Sequence, residues 1–193
     1  PDPQCRALRA ALAARYGLAP EQVLCGNGAA DLIFRIAACL KPRRALAPAP
    51  TFSEYERAVR AFGGAMEMHP LSAENEFILG EDFLASIAPG IELVFLCTPN
   101  NPTGQIIPFQ RICHIVEACR AQGTFVVLDE CFLGFTEGAS MAGMLQAYPN
   151  LIILSAFTKL YAMAGLRLGY LLAGDPNLCT RIAGFGAPWS VSG

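Results

Sequence analysis

Charge is scarce in this sequence. Only 16% of its 193 residues are Asp, Glu, Lys or Arg, and the two signs nearly cancel, leaving a formal net charge of −2 at pH 7. There is no basic stripe, so a nucleic-acid or anionic-membrane partner has no electrostatic support. No apolar run approaches the roughly 20 residues that a membrane-spanning helix needs, and no signal-peptide pattern opens the chain. A soluble, cytoplasmic protein is the expectation. The eight cysteines include no Cys-x-x-Cys pair. Most of them sit in apolar segments and read as reduced core residues rather than disulfides. Cys113, His114 and Cys119 match no zinc spacing and fall on an expected helix, so no metal site is expected. Low-complexity linkers and internal repeats are also missing.

What is abundant is apolar side chain, 53% of the residues. That describes a packed globular body with a substantial core, long enough for one good-sized domain. A start at Pro1-Asp2-Pro3 without methionine, and an end at Ser192-Gly193, lead to the expectation of a piece of a longer protein.

Asp2 is placed to cap a helix whose first turn holds Pro3, with Cys5, Leu8, Leu12 and Tyr16 at helical spacing until Gly17. Val23 to Cys25 is a short extended piece. It leads into Gly26-Asn27-Gly28-Ala29-Ala30-Asp31, after which Leu32, Ile33, Ile36, Ala37 and Leu40 mark a second helix ending near Pro42. A glycine turn before a helix offers free backbone N–H groups and the positive end of the helix dipole, which suits a phosphate; often it is only a tight turn. Asp31 stands where Gly-x-Gly-x-x-Gly requires its last glycine, which disfavours a nicotinamide-dependent oxidoreductase. Further strands are expected at 44–47, 65–69, 93–97, 125–128, 151–154 and 168–172. Helices are expected from a Ser53 cap through Phe62, over 80–87 and 108–122, and after Asp175-Pro176. This alternation predicts an α/β layer fold around a mainly parallel sheet.

In an open α/β sheet, ligands gather at the carboxyl ends of strands. The loop Thr98-Pro99-Asn100-Asn101-Pro102-Thr103-Gly104, the pair Asp129-Glu130, and Lys159 each follow an expected strand. A carboxylate at an apolar strand end is costly without a cationic or hydrogen-bonding partner, so Asp129 needs one. A lysine in such a setting has its ammonium form disfavoured by desolvation, which suits it to attack carbonyl carbon. The ordinary alternative is a surface lysine whose stem passes apolar neighbours on its way to water.

Four segments in order, Asn101-Pro102-Thr103-Gly104, Asp129-Glu130, Thr158-Lys159 and Gly165-Leu166-Arg167-Leu168-Gly169, resemble the fold-type I pyridoxal-phosphate enzymes. The resemblance is to the branch containing histidinol-phosphate aminotransferase and threonine-phosphate decarboxylase, and runs over nearly the whole chain. It implies a three-layer α/β sandwich, the large domain of a fold-type I transferase dependent on pyridoxal 5'-phosphate. That domain would occupy residues 1–193, with the N-terminal arm and C-terminal small domain absent. It also implies a homodimer and a small phosphorylated amino-acid or amine substrate.

By the same resemblance, Lys159 would join the cofactor covalently and later transfer protons, and Asp129 would pair with the pyridine nitrogen. Asn101 would hydrogen-bond the ring hydroxyl oxygen, and Phe52 would cover one ring face. Gly28, Ala29 and Ala30 would give backbone N–H groups to the phosphate, with Arg167 supplying charge and Thr158 a hydroxyl. Two positions depart from the family pattern. Phe132 stands where a tyrosine is frequent, and Ala156 where a phosphate-binding serine or threonine is usual; Ser155 is the neighbour that could compensate.

Within the branch, the stretches Gly26 to Phe34 and Pro50 to Glu56, Phe132, and Pro188-Trp189-Ser190-Val191 look more like threonine-phosphate decarboxylases of cobalamin synthesis than like histidinol-phosphate aminotransferases. Decarboxylation of L-threonine O-3-phosphate is therefore the first expectation and an aminotransferase the second. A truncated cofactor-binding domain without turnover is the third.

Overall fold

The computed structural model describes residues 2–191; the termini read above as cut ends, Pro1 and Ser192-Gly193, lie outside the described residues. The strands are β1 (Val23–Gly26), β2 (Arg44–Ala49), β3 (Ala65–Pro70), β4 (Leu93–Cys97), β5 (Phe125–Asp129), β6 (Leu151–Ala156) and β7 (Gly169–Ala173). They form one seven-stranded sheet in the order β1-β7-β6-β5-β4-β2-β3. Every pairing from β3 to β6 is parallel, and only β7 runs antiparallel to its two neighbours. The mainly parallel sheet expected from the sequence is thus present.

Strand burial explains why these segments are strands. All five residues of β4 are buried, as expected of a strand covered on both faces. Alternate residues then feed two different cores. Val94 and Leu96 pack with Leu12 and Ala13 of helix α1 (Arg6–Tyr16) and Ile112, Ile115 and Cys119 of α5 (Phe109–Ala121). Leu93, Phe95 and Cys97 pack with Ile33 and Ile36 of α2 (Gly28–Leu40), Tyr55 and Val59 of α3 (Glu54–Ala61) and Ile182 of α6 (Pro176–Ala183). The short α4 (Phe83–Ser86) joins the first group through Phe83. Two helical layers flank the sheet, which makes the three-layer sandwich. Each fully buried Leu, Ile or Phe contributes about 1.5–3 kcal/mol relative to exposure.

Several boundaries differ from expectation for local reasons. Asp2 does accept hydrogen bonds, from the N–H groups of Gln4 and Arg6. However, Cys5 adopts a left-handed conformation (φ 49°), so α1 begins only at Arg6. Ser53 precedes α3 but makes no side-chain cap bond. The helix expected over 80–87 shrinks to four residues. β6 runs on to Ala156, and β7 starts at Gly169 rather than Leu168. Asp175 caps α6 as expected, accepting from the Asn177 N–H. All eight cysteines are free. Among the described residues no cluster of His, Cys, Asp and Glu could hold a metal ion, and no helix is long and apolar enough to cross a membrane.

Register fixes the place of the site. Cys97 lies beside Asp129, Asp129 beside Leu154, and Gly169 is flanked by Ala156 and Gly26. The carboxyl ends of β1, β4, β5 and β6 therefore share one edge of the sheet with the amino end of β7.

Candidate active site

At that edge the loops that follow β1, β2, β4, β5 and β6 enclose a cavity of about 250 Å³. Its lining includes Ala29, Ala30, Phe52, Asn101, Asp129, Thr158, Lys159 and Arg167. These are all but one of the residues singled out above; the remaining one, Gly28, stands immediately behind Arg167. Phe132 and Ala156, the two departures from the family pattern, line it too.

The turn after β1 is shaped by Asp31. Its carboxylate accepts from the N–H of Asn27 (2.8 Å) and is gripped by the Arg35 guanidinium (2.6 Å), so it closes the entry to α2. A glycine at 31 could do neither. Gly28 has φ +79°, and a Cβ there would stand 3.0 Å from Nη2 of Arg167. Gly169 is pressed still closer, since a Cβ on it would meet the backbone of Gly28 and Ala29 at 2.7 Å. These two glycines let the start of β7 lie against the helix turn, which brings Arg167 to the N-terminus of α2. There the first-turn N–H groups and the helix dipole favour an anion. Arg167 is itself left-handed (φ 48°) and, among the described residues, in no ion pair.

The loop after β4 is held by Asn100. Its Nδ2 donates to the Pro50 carbonyl (3.0 Å) and to Thr103 Oγ1 (2.9 Å), while its Oδ1 accepts from Thr51 Oγ1 (3.1 Å). Asn100 therefore ties the β4 loop to the β2 loop. The result is a fixed spacing between Asn101 and Phe52, both left facing the cavity.

Asp129 is only 4% exposed. One carboxylate oxygen accepts from the Tyr55 hydroxyl at 2.7 Å and the other from the Cys131 N–H at 2.9 Å. The hydrogen-bonding partner that the buried carboxylate required is thus Tyr55, which nothing in the sequence pattern marks as a donor to Asp129. Burial, and then the Asp129 charge, hold the Tyr55 hydroxyl well above its ordinary pKa. Cys97 and Cys131 also line the cavity and were not anticipated. Burial pushes the Cys97 thiol up to about 12, and burial with the Asp129 charge pushes Cys131 well up, so both stay as thiols. The signal for Cys131 was its place two residues beyond Asp129.

Lys159 falls three residues past the end of β6, on an exposed turn. The apolar enclosure expected for it is not found; it reaches the cavity from the rim. Ser155 is no substitute for the hydroxyl missing at Ala156. It lines a second cavity of about 290 Å³ with Glu130, Tyr16 and Tyr170, one that Lys159 and Asp129 do not reach.

Comparison with known proteins bears on this arrangement. Residues 1–193 match the family model described as aminotransferase class I and II. The chain belongs to that family. It is 35% identical over 193 residues to a threonine-phosphate decarboxylase of Salmonella typhimurium, covering 100% of this chain and 53% of that one. It is also 35% identical over 183 residues to a histidinol-phosphate aminotransferase of Thermococcus gammatolerans, covering 95% of this chain and 52% of the relative. Among solved structures, the L-threonine-O-3-phosphate decarboxylase of Porphyromonas gingivalis superposes with a TM-score of 0.87 at 28% identity, over 100% of this chain and 56% of that one. The family and fold expected from the sequence hold. The chain spans about half the length of the relatives it matches.

Proposed function

We propose that the cavity holds pyridoxal 5'-phosphate and that the protein uses it on a small phosphorylated amino acid, with decarboxylation of L-threonine O-3-phosphate as the reaction. The observation that supports this reading is the meeting of an amine, a buried hydrogen-bonded carboxylate, an amide, an aromatic ring and a guanidinium round one small cavity. The residues fit the group in two physical respects. Gly28 leaves a cradle that a Cβ would fill, directly against the Arg167 guanidinium. Asp129 is a buried carboxylate whose two bonds are both to neutral donors, so a cationic donor in the cavity would offset its burial.

When bound, the cofactor supplies an electron-withdrawing ring that accepts the electron pair left as a bond at the amino-bearing carbon breaks. The chain's own residues hold and steer it. Arg167, the N–H groups of Gly28, Ala29 and Ala30, and the Thr158 hydroxyl would take the phosphate. Phe52 would cover one ring face, Asn101 would bond the ring oxygen, and Asp129 would keep a proton on the ring nitrogen. Lys159, at the rim, would attach the cofactor and move protons at the substrate carbon.

The choice of decarboxylation is supported by the alignment of the whole of this chain to about half of the Salmonella enzyme. Transamination of histidinol phosphate is the second reading, favoured by the comparable identity to the Thermococcus enzyme. Incubating the intact protein with phosphothreonine, with and without 2-oxoglutarate, separates them. Carbon dioxide and aminopropanol phosphate formed without the oxoacid support decarboxylation; strict dependence on the oxoacid overturns it.

A further inference from the structure

Tyr55 is not among the groups that a cofactor in this cavity would touch, yet its surroundings are unusually determined. Its side chain is fully buried. The ring stacks on Phe95, centroids 4.7 Å apart and planes within 9°, and meets the edge of Phe52 at 5.6 Å and 84°. Its hydroxyl donates to Asp129 Oδ2 at 2.7 Å. Phe95 is a β4 core residue, so the ring is anchored to the sheet, while Phe52 and Asp129 both face the cavity.

We propose that Tyr55 is a positioning residue, which sets the orientation of Asp129 and, through the same ring, the tilt of Phe52. This rests on the cofactor reading given above. The hydroxyl has one proton and donates it in a hydrogen bond to Asp129 Oδ2, which occupies that oxygen on its core side. The Cys131 N–H donates to the other oxygen, so the plane of the carboxylate is fixed by two donors from different elements, α3 and the loop after β5. What remains on the cavity side is acceptor capacity aimed at one more donor. Phe52 and Tyr55 are three residues apart on entry to α3, so a turn of helix transmits the anchoring of one ring to the other.

A double-mutant cycle tests this on the intact protein. Wild type, Y55F, D129N and the double variant are titrated with pyridoxal 5'-phosphate, following cofactor fluorescence and the absorbance maximum; binding of inorganic phosphate and thermal unfolding are measured beside them. Y55F keeps both ring contacts and deletes only the hydroxyl. Its cofactor affinity should fall about tenfold, the size of a hydrogen bond to a charged group, with a shifted absorbance maximum and phosphate binding within about twofold of wild type. In the D129N background the same change should have little further effect, because the hydroxyl acts through Asp129. Full additivity with D129N, or a Y55F titration and spectrum identical to wild type, overturns the role of Tyr55. Failure of wild type itself to bind pyridoxal phosphate, while still binding inorganic phosphate, overturns the cofactor reading and this inference with it.

Discussion

A Cβ added to Gly28 would lie 3.0 Å from the Arg167 guanidinium. The two residues are brought together by backbone alone: a left-handed glycine on one side and, on the other, β7 resting on the turn because Gly169 carries no side chain. Gly28→Ala therefore imposes two penalties, a positive φ that alanine adopts poorly and a side chain pushed into Arg167. We expect stability to fall by about 1 kcal/mol. Affinity for pyridoxal phosphate should drop about tenfold as Arg167 swings away, by the worth of one charge-assisted contact. Chemical denaturation and a fluorescence titration read the two effects separately. A variant that loses stability but binds normally would show that Arg167 does not depend on Gly28.

Lys159 yields a contrasting expectation. It is exposed, and among the described residues no hydrogen bond or ion pair holds its ammonium. Lys159→Ala should leave stability within about 0.5 kcal/mol of wild type. Reductive trapping of the wild-type protein with pyridoxal phosphate and borohydride, followed by peptide mass spectrometry, should place the added mass on residue 159, and the variant should show none there. Labelling of another lysine instead would remove Lys159 from its role.

Much of this fold is legible because the central strands are buried at nearly every position. β4 is apolar at every position, and its expected ends, 93 and 97, are the observed ones; the glycine turn, the Asn101 loop and Asp129 are legible as polar interruptions just beyond such runs. The partner of Asp129 was not. Tyr55 lies 74 positions away in sequence, and a tyrosine on an amphipathic helix carries no mark that distinguishes a core ring from a hydrogen-bond donor. The helix expected over 80–87 is shorter because Glu81-Asp82 imitates a helix start, while residues 80–82 are closed by tighter bonds, from the N–H groups of Phe83, Leu84 and Ala85 to the carbonyls three residues earlier. The roles of Ser155 and Ala156 depended on strand phase. With β6 expected to end at Leu154, the alternation of faces could not be carried two residues further.

Glu130 gives a pH signature independent of any cofactor. The residue is 5% exposed, accepts from the Ser140 hydroxyl (2.6 Å) and the Met141 N–H (2.9 Å), and is pushed up to about 7 by burial, which outweighs those two bonds. A carboxyl raised in the folded state holds its proton where the unfolded chain has lost it. Its contribution to stability is therefore fully present below about pH 4.5 and is lost as pH rises through about 7. Across that window unfolding free energy should fall by about 3 kcal/mol, at 1.4 kcal/mol per pKa unit. Glu130→Gln should flatten this part of the profile, at the cost of one acceptor. Urea denaturation at a series of pH values measures both, and an unchanged slope in the variant would assign the pH dependence elsewhere.

The last expectation concerns Ala156, whose missing hydroxyl is the clearest departure from the family pattern. Ala156 is 7% exposed and lines both cavities, beside Thr158 in the first, whereas Ser155 lines only the second, with Glu130 and Tyr170. Strand geometry thus puts a hydroxyl at 156, but not at 155, within reach of a phosphate held by Arg167. Ala156→Ser adds only one oxygen to the cavity wall and should tighten pyridoxal-phosphate binding by about 3- to 10-fold, the net worth of one hydrogen bond. Ser155→Ala should change that affinity by less than about twofold, since it removes nothing from the cavity wall; any loss would appear in stability, through the packing of Tyr170. Equilibrium dialysis of the three proteins decides the matter. Tighter binding in A156S with no change in S155A fits the cavity described, whereas weaker binding in S155A would mean that the phosphate lies on the other side of β6.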